Sequence, residues 1–326
     1  MQVCTAIARS VTVVLLMILA GSGIAQQNYP SKPIRFIVPF PPGGSTDPLA
    51  RLAGQRMAES WGQQVLIDNR PGGSTIIGTE AVAKAAPDGY TILLAGIPLV
   101  TGTSLYPNIP YDAIRDFAPV TTIARSEYVL VLHPSVPANN LQEFIALAKA
   151  KPDQLDYGSS GTGGSLHLAG ELFNFVAGVK MLHIPYKGSG PLVTDLIGGQ
   201  VRLSFQTPIA TLGHIRSGKL RPIAVTGKGR LSALPQVPTF AEAGLSGFDV
   251  DIWFGIVAPT GTPKAIIDKM ASEVGKGLAT PETRDKLSSQ GMDPFISTPE
   301  QTAALIKADI AKYAKIIKTA NIKGEN

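Results

Sequence analysis

The chain has 326 residues, enough for two domains that each bury a core, and 16% of them are charged against 44% hydrophobic. That balance excludes both an intrinsically disordered chain and a multi-span membrane protein. The formal charge of +5 is spread thinly, as at Lys149/Lys151, Lys228/Arg230 and Lys312/Lys315/Lys318. With no basic block carrying interleaved aromatics, nucleic acid is not an expected partner, whereas a mild positive field suits a small anionic ligand.

The first residues read as a secretory signal. Arg9 supplies a positive n-region, residues 11–19 form an apolar run broken only by Thr12, and Gly23-Ile24-Ala25 is a small-residue cleavage site. The run is short of the ~20 residues needed to span a bilayer. Residues 1–25 are therefore expected to be cleaved, leaving a periplasmic protein; an uncleaved anchor is the alternative. Cys4, the single cysteine, lies inside this segment and before its apolar run. A mature chain without cysteine has no disulfide, thiol nucleophile or thiolate metal site, and a lipid anchor is not expected.

From Ile34 onward, short β-branched runs alternate with helical patterns, the signature of parallel-sheet α/β domains. Residues 34–39 read as a strand and 48–61 as a helix with Leu49, Leu52, Ala53 and Met57 on one face. A strand over 64–68, a helix over 76–85 and a strand over 90–95 follow. The pattern then restarts with a strand at 129–133, a helix at 141–151 and a strand at 155–158. A helix over 166–177 is expected to turn Leu168, Leu172, Phe175 and Val176 inward. Further strands fall at 181–186, 201–206, 220–226 and 251–259, with helices at 191–197 and 208–217. The remainder reads as helical, at 263–278, 281–290 and from Pro299 onward. Extended segments at 122–128 and 249–254 are suited to carry the chain between domains. Two crossings place residues 29–124 and 252–326 in one lobe and 125–251 in the other, with a cleft and a two-strand hinge between them.

Two turns rich in glycine and serine each follow a strand and open a helix. The first is Phe40-Pro41-Pro42-Gly43-Gly44-Ser45-Thr46-Asp47, where Asp47 and Pro48 form an N-cap and N1 pair. Gly43 and Gly44 let the backbone approach another molecule, and the helix start attracts a carboxylate or phosphate. Asp47 is expected to cap the helix rather than touch an anion. The second is Ser159-Ser160-Gly161-Thr162-Gly163-Gly164-Ser165, with His167 one turn further on. Both lie at strand C-terminal ends, where open α/β sheets bind ligands. Arg70-Pro71-Gly72-Gly73-Ser74 is a third turn, read as mainly structural, and Lys187 as a solvated lysine.

Other chemistries find little support. No P-loop or nucleophile elbow is present, and His133, His167, His183 and His214 lack a metal-ligand spacing. No cofactor, metal or catalytic residue is expected. An exported hydrolase using Ser159, Ser160 or Ser165 with His167 is the competing enzymatic reading.

The ordered motifs extend over nearly all of the chain beyond the signal. They include Tyr29-Pro-Ser-Lys-Pro, Val38-Pro-Phe-Pro-Pro-Gly-Gly-Ser-Thr-Asp47, Asn69-Arg-Pro-Gly72 and Pro87-Asp-Gly-Tyr90. Then come His167-Leu-Ala-Gly-Glu171, Pro185-Tyr-Lys-Gly188, Asp195-Leu-Ile-Gly-Gly-Gln200, Pro238-Thr-Phe-Ala-Glu-Ala-Gly244 and Ala258-Pro-Thr-Gly-Thr-Pro263. In these the chain resembles the Bug-type receptors of tripartite tricarboxylate transporters. The resemblance implies a two-lobed, Venus-flytrap-like periplasmic binding protein of type II that passes a small carboxylate to membrane permease subunits. A monomer is expected, and a ligand sensor feeding a signalling partner is the alternative. It also implies that Pro42–Thr46 and Ser159–Ser165 grip one carboxylate between them. Three positions depart from the family. Gly164 stands where Ser or Thr is frequent, Ser74-Thr75 replace a usual Gly-Gly, and Gln206 occupies a strand-end position that is often Asp. A neutral amide at Gln206 is expected to tolerate a second carboxylate better than an ammonium group, favouring dicarboxylates or aromatic acids.

Overall fold

The computed structural model describes residues 29–42, 46–248 and 250–324. The expected signal segment, and Gly43, Gly44 and Ser45 of the first turn, lie outside the described residues.

The described residues form two mixed sheets. The first contains β1 (Ile34–Val38), β2 (Val65–Asn69), β3 (Thr91–Ala95), β4 (Phe117–Glu127), β10 (Asp251–Pro259) and β11 (Asp293–Pro294), in the order β11-β4-β10-β3-β1-β2. Ile34, Phe36, Ile37 and Val38 are all buried, as suits a strand covered on both faces. The second contains β5 (Val129–Leu132), β6 (Asp156–Ser159), β7 (Leu182–Pro185), β8 (Leu203–Gln206) and β9 (Arg221–Val225), in the order β7-β6-β8-β5-β9.

The alternation of strands and helices predicts parallel sheets, and each sheet is parallel only in part. β10 runs antiparallel to both β3 and β4, and β5 antiparallel to both β8 and β9. The reason is connectivity: a chain that leaves one sheet and later returns sends its outgoing and incoming strands in opposite directions. β4 and β10 pair from Pro259↔Phe117 to Asp251↔Glu127, and Tyr128 alone separates β4 from β5. At that crossing Tyr128 N donates to Thr226 Oγ1 (2.9 Å) and Thr226 N to Tyr128 O (3.0 Å).

Helices α1 (Thr46–Trp61), α2 (Ile76–Ala83) and α3 (Ile97–Leu105) belong to the first lobe, joined by the returning α8 (Lys264–Leu278), α9 (Pro281–Ser289) and α10 (Pro299–Thr319). Leu49, Leu52, Ala53 and Met57 of α1 are buried, as their spacing requires. Helix α3 has no counterpart among the expected elements. Ile97, Leu99, Val100, Thr101, Gly102 and Leu105 are all buried, so no polar face marks a helical period. The second lobe carries α4 (Leu141–Ala150), α5 (Ser165–Ala177), α6 (Ser189–Ile197) and α7 (Pro208–Arg216).

On α5 the inward stripe differs from the expected one. Leu168 and Leu172 are buried, but Phe175 is 55% exposed and Val176 only partly covered, while Phe173 is fully buried. Leu166, Ala169, Gly170, Phe173 and Ala177 form the helical stripe, and Phe173 anchors it among Phe144, Phe205, Phe240 and Phe248 at centroid distances of 5.7–6.0 Å.

Candidate functional site

A cleft opens between the two sheets, with about 550 Å³ of space when the open solvent at its mouth is included. Phe40 and Thr46 from the first turn, Ser160 and Ser165 from the second, and Gln206 at the end of β8 all line it. So do several residues that the motif reading missed. Ile97, Pro98, Ile252 and Phe254 form an apolar wall, and Ser189 and Thr207 add hydroxyl groups. The signal for Pro98 and Thr207 was local: each sits where a strand gives way to a helix with Pro in its first turn. None of the described lining residues is charged.

Helix starts dominate the cleft instead. Four helices whose first residues or caps line it, α3, α5, α6 and α7, begin at Gly96, Gly164, Gly188 and Thr207 with no side-chain cap hydrogen bond. Of the helices that begin away from it, α4, α9 and α10 are capped by Asn140, Thr280 and Thr298, while α2 and α8 have no side-chain cap hydrogen bond. The first N–H groups of a helix have no intrahelical acceptor and carry the positive end of its dipole. Converging on an uncharged cavity, they favour an anion.

Several expected contacts stand behind the cleft rather than in it. Helix α1 begins at Thr46, so Asp47 lies inside the first turn and not at the cap. Its carboxylate receives Arg51 Nε at 2.9 Å and is 8% exposed, which both neutralises it and keeps it near the favourable end of the dipole. Pro42 is exposed and does not line the cleft. His167 is buried and accepts the Gly163 N–H at Nδ1 (2.9 Å). Ser159 Oγ accepts from Gly161 N (3.2 Å), and Gly164 N donates to Gly161 O (3.2 Å). Gly161, Gly163 and Gly164 therefore spend their N–H groups holding the shape of the turn. Glycine is needed at 161 and 163, where φ is +136° and +74°.

The His167-Leu-Ala-Gly-Glu171 motif supports this turn from beneath. His167 stacks on His183 (4.0 Å) and His183 on Tyr157 (5.0 Å). Tyr157 Oη donates to Glu171 Oε1 at 2.5 Å. A Cβ on Gly170 would come within 2.1 Å of the Tyr157 ring, so only glycine lets α5 pack this closely. Ser159 Oγ and His183 Nε2 are 2.6 Å apart, a serine–histidine pair of the kind the hydrolase reading needs. Ser159 is fully buried, which closes it to a substrate.

Burial pushes the His183 pKa down from 6.5 to about 4. The unfolded chain then binds a proton that the folded chain refuses. Stability is complete above pH 6.5 and falls by about 2–3 kcal/mol as the pH drops to 4. NMR titration is expected to show the His183 imidazole unprotonated down to about pH 4; titration near pH 6.5 would contradict this environment.

The third turn does more than hold its own shape. Ser74 Oγ and Tyr106 Oη both donate to Thr162 O, each at 2.7 Å, tying the first lobe to the second turn. Lys187 is exposed, and neighbouring Gly188 lies against Pro41, where a Cβ would approach Cγ to 2.4 Å.

Two α/β lobes joined by crossing strands, with a cleft ringed by helix starts, are the architecture shared with periplasmic binding proteins such as BugD. That structure matches at a TM-score of 0.87 and 35% identity over 91% of this chain and 100% of that one, and the class is that of solute-binding proteins and not of enzymes. The model of the tripartite tricarboxylate transporter family receptor matches residues 49–322, and the chain belongs to that family. It is 40% identical to protein BugT of Bordetella pertussis (strain Tohama I) over 95% of its own length and 97% of that protein's. An R. palustris protein solved with adipate superposes with a TM-score of 0.88 at 37% identity, over 90% of this chain and 99% of that one. MatC from Rhodopseudomonas palustris, solved with bound malate, gives 0.83 at 30% identity over 89% and 100%. Among the described residues, no helix is long and apolar enough to cross a membrane.

Proposed function

We propose that this receptor captures a small organic carboxylate, a dicarboxylate or an aromatic acid, and delivers it to the membrane permease subunits of a tripartite tricarboxylate-type transporter. It is exported to the periplasm with residues 1–25 removed, and it acts as a monomer. Its lobes, residues 29–124 with 252–326 and residues 125–251, close on the ligand about the crossing strands. The first turn, through Phe40, Gly43, Gly44, Ser45 and Thr46, and the second, from Ser159 to Ser165, form the two halves of the clamp.

The observation that carries this reading is the ring of uncapped helix starts around a cleft without charged side chains. The first N–H groups of these four helices have no side-chain acceptor at the cleft, and a carboxylate supplies one. The adipate and malate held by related receptors support the same class of ligand.

The test is a thermal-shift screen of mature protein against dicarboxylates, aromatic acids, sugars and metal cations. Carboxylates are expected to raise the melting temperature by mass action. If sugars or cations do so and no acid does, the assignment is wrong.

A further inference from the structure

We infer that the carboxylate bound here carries a neutral hydrogen-bond donor, a hydroxyl group, which the side-chain carbonyl of Gln206 selects. The inference rests on the carboxylate reading above and narrows it.

The orientation of the Gln206 amide follows from its neighbours. Ser204 Oγ donates its single proton to Gly158 O at 2.7 Å. It can then only accept from Gln206, whose Nε2 lies 2.9 Å away. The chain Gln206 Nε2 to Ser204 Oγ to Gly158 O turns the NH₂ group towards β6 and leaves Oε1 as the group offered to the cleft. Gln206 is 1% exposed and lines the cavity, yet among the described residues Oε1 has no hydrogen-bond partner. A buried carbonyl left without a donor destabilises whichever state contains it.

Three ligand groups can be weighed against this acceptor. A carboxylate oxygen placed opposite Oε1 sets two acceptors face to face and is repelled. An ammonium group donates well, but no described residue lining the cavity is charged, so its charge would be buried without a partner. A hydroxyl donates without importing charge. This reverses the expectation that a neutral amide at this position favours a second carboxylate: it does so only with its NH₂ outward, and Ser204 prevents that.

Isothermal titration of matched pairs tests the inference: succinate against malate, glutarate against 2-hydroxyglutarate, and benzoate against its hydroxybenzoates. Wild-type protein is expected to bind at least one hydroxy acid about 10- to 100-fold more tightly than its unsubstituted partner. In Gln206→Met, similar in shape but without the carbonyl, the preference should fall to threefold or less while carboxylate binding persists. Equal or tighter binding of every unsubstituted acid by wild-type protein overturns the inference and leaves the carboxylate reading intact. Retention of the full preference by a folded Gln206→Met also overturns it. Tightest binding of an amino acid such as aspartate refutes the hydroxyl in favour of ammonium, and failure of all acids to bind overturns both readings together.

Discussion

Gly163→Val is expected to lower ligand affinity about 30- to 100-fold while the protein remains folded. Gly163 has φ +74°, a region that a β-branched residue occupies only under strain. A Cβ there would also lie 2.9 Å from both Leu105 Cδ1 and Tyr106 Oη, across the cleft on the first lobe. The same tyrosine hydroxyl donates to Thr162 O, so the substitution strikes the contact that joins the second turn to the opposite lobe. The clash with Leu105 and Tyr106 is borne only when the lobes meet, and about 2–3 kcal/mol there converts directly into lost affinity, at tenfold for each 1.4 kcal/mol. Titration calorimetry with a carboxylate that stabilises wild-type protein measures the loss. Unchanged affinity would show that ligand capture does not involve this contact. Tyr106→Phe is a milder companion, removing one of the two donors to Thr162 O and leaving Ser74 Oγ in place.

Phe173→Ala is expected to cause a large loss of stability, about 3–5 kcal/mol. Phe173 is fully buried and meets four phenylalanine rings, so its removal leaves a cavity that the rigid neighbouring rings cannot fill. The melting temperature should drop by about 10 °C or more. Binding at 25 °C should survive, because Phe173 does not line the cleft. A change of only one or two degrees would mean that the cluster repacks freely. The two variants thus separate two roles: the turn before α5 shapes the site, and the middle of α5 holds the lobe together.

Much of this molecule is legible in its residues. The strands at Ile34, Val129 and Asp251 begin where β-branched runs begin, and the two turns at strand ends follow from Gly and Ser placed before a helical period. Ile97–Leu105 was not legible, since only Thr103 and Ser104 are exposed, and a helix buried over most of its length shows no repeating alternation of polar and apolar faces. Phe175 and Phe173 could not be told apart because each shares helical spacing with other apolar residues of α5. Which stripe faces inward depends on what the helix packs against.

The two turns, the α/β class and the expectation of a small-anion ligand all came from local chemistry: glycine where the backbone must bend, proline and serine where helices start, no charged motif for other partners. Tertiary structure alone decided which of those groups meet the cleft. It drew His167 and Asp47 away into supporting contacts, brought Ser74 and Tyr106 across to Thr162, and turned the Gln206 side-chain NH₂ onto Ser204. The physical reason is that a hydrogen-bonding group has one role in isolation and another once a distant neighbour has claimed its donor. Ser204 and Gly158 are 46 residues apart, and their hydrogen bond fixes what Gln206 can offer.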